Sequence, residues 1–110
     1  MDTDVVAQDA LLREMVSRLV DAFEPDAVYL YGSRAQGNAT EDSDYDLMVV
    51  VPQSDLTFRE RWLKAFRLLC GIGVPKDVVV LTRDEFDRKQ PVVCSLPATV
   101  VREGKLLYGS

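Results

Sequence analysis

Three short stretches of this 110-residue chain have residue types and spacing that could do chemistry. Gly32-Ser33 follows a hydrophobic pentapeptide, residues 27–31. Asp42, Asp44 and Asp46 stand directly before the apolar run Leu47–Val51. A lone acidic residue, Asp77, opens a third apolar run, Val78–Leu81. In a strand, alternate side chains share a face, so Asp44 and Asp46 point the same way, roughly 6–7 Å apart. At an effective dielectric near 20 they repel by about 2–3 kcal/mol. A divalent cation between them removes that cost, and Mg²⁺ favours one or two carboxylates completed by water and phosphate oxygens. If the strand opened by Asp77 lies beside the one opened by Asp46, a third carboxylate joins. Two metal ions are then conceivable, one activating an attacking hydroxyl and one holding a triphosphate. Asp77 is the natural general base or nucleophile-side ligand.

Gly32 fits the other half of such a site. Glycine tolerates positive φ and lets backbone approach a ligand closely. The following amides and the Ser33 hydroxyl form a candidate nest for phosphate oxygens, and Arg34 adds charge to it. Blander readings stand beside these. The segment 42–46 also reads as a solvated turn of capping aspartates, and Asp77 as a solvent-facing strand start. An EF-hand reading fails, because Leu47 stands where that loop requires Gly and Gln53 where it requires a bidentate Glu.

The elements that must position these residues follow from periodicity. Val5, Leu12, Met15, Val16, Leu19, Val20 and Phe23 predict an amphipathic helix over 5–23, capped by Asp4 and stopped by Pro25. Strands are expected over 27–31, 44–51, 77–81 and 105–108; the second, apolar at consecutive positions, reads as a central strand buried on both faces. Residues 57–69 predict a helix with Phe58, Trp62, Phe66 and Leu69 on one face and a mostly solvated basic face. Gly71 and Gly73 end it. Short helices are expected over 84–89 and 97–103. The order α-β-β-α-β-α-α-β predicts an α+β (mixed α/β) fold, a small mixed sheet flanked by helices.

Composition narrows the function. A length of 110 residues suits a single domain spanning 1–110. Hydrophobic residues at 47% and charged residues at 28% are an ordinary globular mix. No apolar run is long enough to span a bilayer and no secretory signal is visible, so a cytoplasmic protein is expected. The chain has no His, and its two Cys, Cys70 and Cys94, are isolated, which excludes an ordinary zinc site and leaves hard, oxygen-bound metals. A net charge of −5 disfavours an extended nucleic-acid track.

Gly32-Ser33, ten intervening residues and Asp44-Tyr45-Asp46 together resemble the signature of the DNA-polymerase-beta-like nucleotidyltransferase superfamily. The similarity is greatest to its minimal nucleotidyltransferase (MNT) group and runs through Arg34, Gly37, Ser43 and Leu47. "KDVVVLTRDEF" sits where that group carries its third aspartate, and "VREGKLLYG" resembles its usual ending. Gln36 occupies a place where many relatives are basic. The resemblance implies Mg²⁺-dependent transfer of a nucleoside monophosphate from a triphosphate to a hydroxyl, releasing pyrophosphate. Asp44, Asp46 and Asp77 would be the catalytic, metal-binding trio, with Gly32, Ser33 and Arg34 on the nucleotide. It further implies an antitoxin that transfers AMP from ATP to a tyrosine of a HEPN-domain toxin. A non-catalytic antitoxin acting by occlusion and a small-molecule or RNA nucleotidyltransferase are the competing expectations. The short chain predicts that the acceptor is brought by another macromolecule, docking on an exposed apolar patch to which residues 91–97 are a possible contributor. No base-reading residue is legible.

Overall fold

The computed structural model describes residues 3–32, 44–89, 91 and 95–109, with residues 3–9 as backbone only. The elements run α1 (Thr3–Phe23), β1 (Ala27–Tyr31), β2 (Tyr45–Val51), α2 (Phe58–Leu69), β3 (Lys76–Thr82), α3 (Arg83–Lys89), α4 (Leu96–Glu103) and β4 (Lys105–Gly109). Helix α1 begins before Asp4, which therefore lies in its first turn and is not its cap. It ends with Glu24 at φ 48°, its N–H still bonded to Val20 O at 2.9 Å, because Pro25 carries no amide hydrogen to continue the ladder.

The strands form one mixed sheet in the order β3-β2-β1-β4. Strand β1 pairs antiparallel with both β2 and β4, whereas β3 lies parallel to β2 across the α2 crossover. Strand β2 is central, and Leu47 through Val51 are all buried, as its unbroken apolar run requires. Alternation divides the sheet between two cores. Leu47, Val49, Val28 and Val80 pack with Met15 and Leu19 of α1 and with Ala65 and Leu69 of α2. Met48, Val50, Ala27 and Leu81 pack with Phe86 of α3 and Val100 of α4.

Helix α2 turns differently from the sequence expectation. Thr57 and Glu60 close a reciprocal capping box at its start. Its inward stripe is Arg61, Ala65 and Leu69, while Phe58, Trp62 and Phe66 are 48%, 38% and 58% exposed. Arg61 is only 4% exposed, so it is no part of a solvated basic face. Its guanidinium donates to Val80 O at 3.0 Å and to Glu85 Oε1 at 2.7 Å, which fixes α2 against both β3 and α3. Glu85 also accepts from the Thr82 amide, and its carboxyl is held at about 2, chiefly by the Arg61 hydrogen bond. A charge-assisted, multiply bonded arginine thus takes the inward position that periodicity assigns to the aromatic stripe one residue away.

Candidate active site

Antiparallel pairing brings the end of β1 to the start of β2, and parallel pairing brings the start of β3 to the same edge. Tyr31 lies opposite Asp46, and Asp46 opposite Asp77, so three side chains form a row across three strands. They share a face with Met48 and Val50, beyond the point where the α3–α4 core ends. Asp44, two residues before Asp46, stands exposed at the mouth of β2.

Gly32 closes the row. Its φ is +74°, which disfavours any side chain, and a Cβ there would collide with Asp46 Oδ2. The turn therefore presses backbone directly against the carboxylate. Asp46 is partly buried, and its carboxyl is raised above the ordinary value by desolvation first, then by the charges of Asp44 and Asp77. The Tyr31 phenol is pushed up to about 12, by burial and then by the same carboxylate face, Asp46 and Asp77. The indole Nε1 of Trp62 lies 3.5 Å from Asp77 Oδ1, a long contact that reaches around the β3 edge.

The structure thus brings together Gly32, Asp46 and Asp77, with Asp44 within electrostatic reach. Ser33, Arg34, Asp42 and Gln36 lie outside the described residues. Among the described residues, no three Asp, Glu or Cys side chains are gathered as a ready-made metal cage. What is present is an adjacent carboxylate pair whose charges oppose each other, with oxygen donors only. That set suits a hard cation that keeps further positions for water or phosphate. The sequence alone assigns neither Tyr31 nor Trp62 to the site. Tyr31 offered a faint signal, a polar-tipped aromatic immediately before the glycine turn; Trp62 gave none, because its neighbour in space is 15 residues away in sequence.

Comparison with known proteins gives this edge its class. Residues 11–106 match the nucleotidyltransferase domain family. The chain belongs to that family, and it is a nucleotidyltransferase. A Methanocaldococcus jannaschii protein, named as a protein adenylyltransferase, is 28% identical over 103 residues, covering 92% of this chain and 98% of its own length. A solved Sulfolobus solfataricus protein named as a nucleotidyltransferase superposes with a TM-score of 0.65 at 25% identity, over 91% of this chain and 78% of that one. A variant of the MntA–HpeT toxin–antitoxin complex gives 0.63 at 28% identity, over 89% and 72%. A toxin–antitoxin structure with AMP-PNP gives 0.54 at 25% identity, over 88% and 73%. The mixed α+β sheet expected from the sequence is that of these proteins.

Proposed function

We propose that residues 1–110 form one minimal nucleotidyltransferase domain, acting in the cytoplasm as the antitoxin of a toxin–antitoxin pair. It neutralises a HEPN-domain toxin by moving AMP from ATP onto a toxin tyrosine, with Mg²⁺ as cofactor. The observation that carries this reading is the register Tyr31–Asp46–Asp77 beside the Gly32 turn. Three strand ends converge there, and two carboxylates are held at a standing electrostatic cost that a pure binding module has no use for. The relatives named for adenylyl transfer and for toxin–antitoxin complexes supply the substrate and partner classes.

In this reading Gly32, Ser33 and Arg34 hold the triphosphate, the glycine by letting backbone amides come close to it. Asp44, Asp46 and Asp77 are the metal-binding carboxylates. Bound Mg²⁺ supplies the positive charge that lets a triphosphate approach them. Asp46, fixed by the ladders on both sides of β2, sets the position of the reacting phosphate. Asp77 faces the acceptor and takes its proton. The acceptor oxygen bonds to the α-phosphorus, the bond from that phosphorus to the bridging oxygen of the β-phosphate breaks, and pyrophosphate leaves.

A second reading, neutralisation by binding alone, has one observation in its favour. Phe58, Trp62 and Phe66 on α2 and Leu106 and Tyr108 on β4 are exposed apolar surface of the kind a partner covers. Leu96 adds to it, and Pro97 is buried, while residues 92–94 of the patch expected from the sequence lie outside the described residues. One experiment separates the readings. Purified protein, Mg²⁺ and each α-labelled ribonucleoside triphosphate are incubated with and without a HEPN partner, with Asp44→Asn as control. Label on the partner with the wild type alone establishes transfer and names the nucleotide. A tight complex without transfer would leave occlusion as the function.

A further inference from the structure

A cleft between α2 and the start of β3 borders Asp77 on the side of the β3 edge. Its volume is about 280 Å³, and its lining includes Trp62, Phe66, Leu69, Val74 and Asp77. Trp62 and Phe66, one helical turn apart, stack with ring centroids 5.6 Å apart and planes 17° from parallel. Both rings are exposed, and Trp62 Nε1 touches Asp77 Oδ1.

We infer that the Trp62–Phe66 shelf seats the acceptor: a tyrosine ring of the protein partner lies against it with its hydroxyl directed at Asp77. The inference rests on the proposed adenylyl transfer and adds the residues that recognise the acceptor. Position supports it first. Across the sheet the order is Gly32, Asp46 and Asp77, and the shelf, carried by α2 on the opposite face, meets Asp77 around the β3 edge on the side away from the Gly32 turn. Chemistry supports it next. A nucleobase is recognised by several fixed donors and acceptors along its edge, whereas a phenol needs one acceptor and a ring to lie on. The polar side chains here are Asp77, Cys70 and Lys76, and Lys76 Nζ is engaged by the carbonyls of Ile72 and Val74 at 2.8 and 3.1 Å. Size agrees, since the cleft is smaller than the roughly 300–1,000 Å³ of pockets that enclose a whole small molecule. A neutral ring also enters beside the Asp77 carboxylate without the repulsion a phosphate meets. The phenol oxygen then bonds to the α-phosphorus, pyrophosphate departs and the phenolic proton passes to Asp77.

Trp62 is the single tryptophan of the chain, so its emission reports on the shelf directly. Titration with N-acetyl-tyrosinamide should shift that emission saturably, and N-acetyl-phenylalaninamide more weakly. A non-hydrolysable ATP analogue with Mg²⁺, bound at Asp77, should alter the emission on its own but should not abolish the further saturable shift that tyrosinamide produces. In transfer assays, Trp62→Ala and Phe66→Ala should each raise the acceptor KM about tenfold while the nucleotide KM stays put, and Trp62→Phe should recover most of the loss. Emission that responds to the nucleotide analogue and not to tyrosinamide overturns the inference, as does an unchanged acceptor KM in both alanine variants. A wild-type protein that transfers no nucleotide would defeat the proposed function instead, and the emission titration would still decide what the shelf binds.

Discussion

Asp46→Asn should stabilise the metal-free protein while ending its chemistry. Asp46 and Asp77 are register partners on adjacent strands, whose backbones run about 4.8 Å apart. Carboxylates about 5–6 Å apart repel by about 3 kcal/mol at a dielectric of 20 and by under 1 kcal/mol in water. Asp77 and Asp44 are exposed and Asp46 is partly buried, so each pair falls between these limits, nearer the lower. Asparagine keeps the shape and removes both repulsions, for a gain of about 1–2 kcal/mol, or roughly 5–10 °C in melting temperature. The gain should shrink in high salt. The carboxyl of Asp46 is raised above its ordinary 3.8. Its favourable contribution is therefore complete below that value and is lost as pH rises through the raised folded value. Measured against Asp46→Asn, the wild type should lose stability over that window. Mg²⁺ should then stabilise the wild type markedly and the variant little, by mass action on the folded state. Urea or thermal melts in EDTA and in Mg²⁺, at several pH values, provide the assay. A variant no more stable than the wild type in EDTA, or a Mg²⁺ gain equal in both proteins, would refute the reasoning.

Other substitutions test neighbouring parts of the structure. Asp77→Asn should lower transfer by about 10²–10⁴-fold without loosening the complex with the partner, read by labelled transfer and co-elution. Gly32→Ala should destabilise by about 1–3 kcal/mol, through its left-handed φ and the collision with Asp46, and should abolish nucleotide binding; a fully stable, active variant would contradict the geometry. Arg61→Ala should cost about 2–4 kcal/mol in denaturant melts, because it strips Glu85 and the Val80 carbonyl of their donor. Glu85 has its carboxyl lowered from 4.5 to about 2, so its contribution is present above 4.5 and is lost as pH falls through about 2. That acid-side loss should shrink in Arg61→Ala, where only the Thr82 amide and hydroxyl still hold the Glu85 carboxyl down, and acid titration of both proteins will show it.

Much of this site was legible in the sequence because it is built on backbone rules. A glycine after one strand, alternate aspartates before a fully buried one and a lone aspartate before a third each mark a strand end. Pairing alone brings strand ends together, without help from side chains. What escaped the sequence depends on side-chain geometry between distant elements. The stripes Phe58–Trp62–Phe66 and Arg61–Ala65–Leu69 are neighbouring rows of one helix, and hydrophobicity favours the first as the buried one. The second wins because a guanidinium one residue along finds Glu85 and a β3 carbonyl across the sheet edge, which no local pattern encodes. Trp62 is left outside by the same choice, and only there can it reach Asp77.

The two cores explain how the repelling carboxylates are kept in place. Strand β2 is buried on both faces from Leu47 to Val51, so its register is fixed by packing on α1 and α2 below and on α3 and α4 above. A one-residue slip would exchange the two faces of five buried side chains. Each would then sit in a core shaped for a different side chain, at about 1–3 kcal/mol apiece, and together these exceed the few kcal/mol by which the aspartates repel. The charge repulsion therefore cannot relax by shifting the strand. It is relieved by protonation, as the raised carboxyl of Asp46 shows, or by a cation brought to the row. An acidic edge anchored by an apolar strand is thus strained toward a ligand and rigid toward everything else.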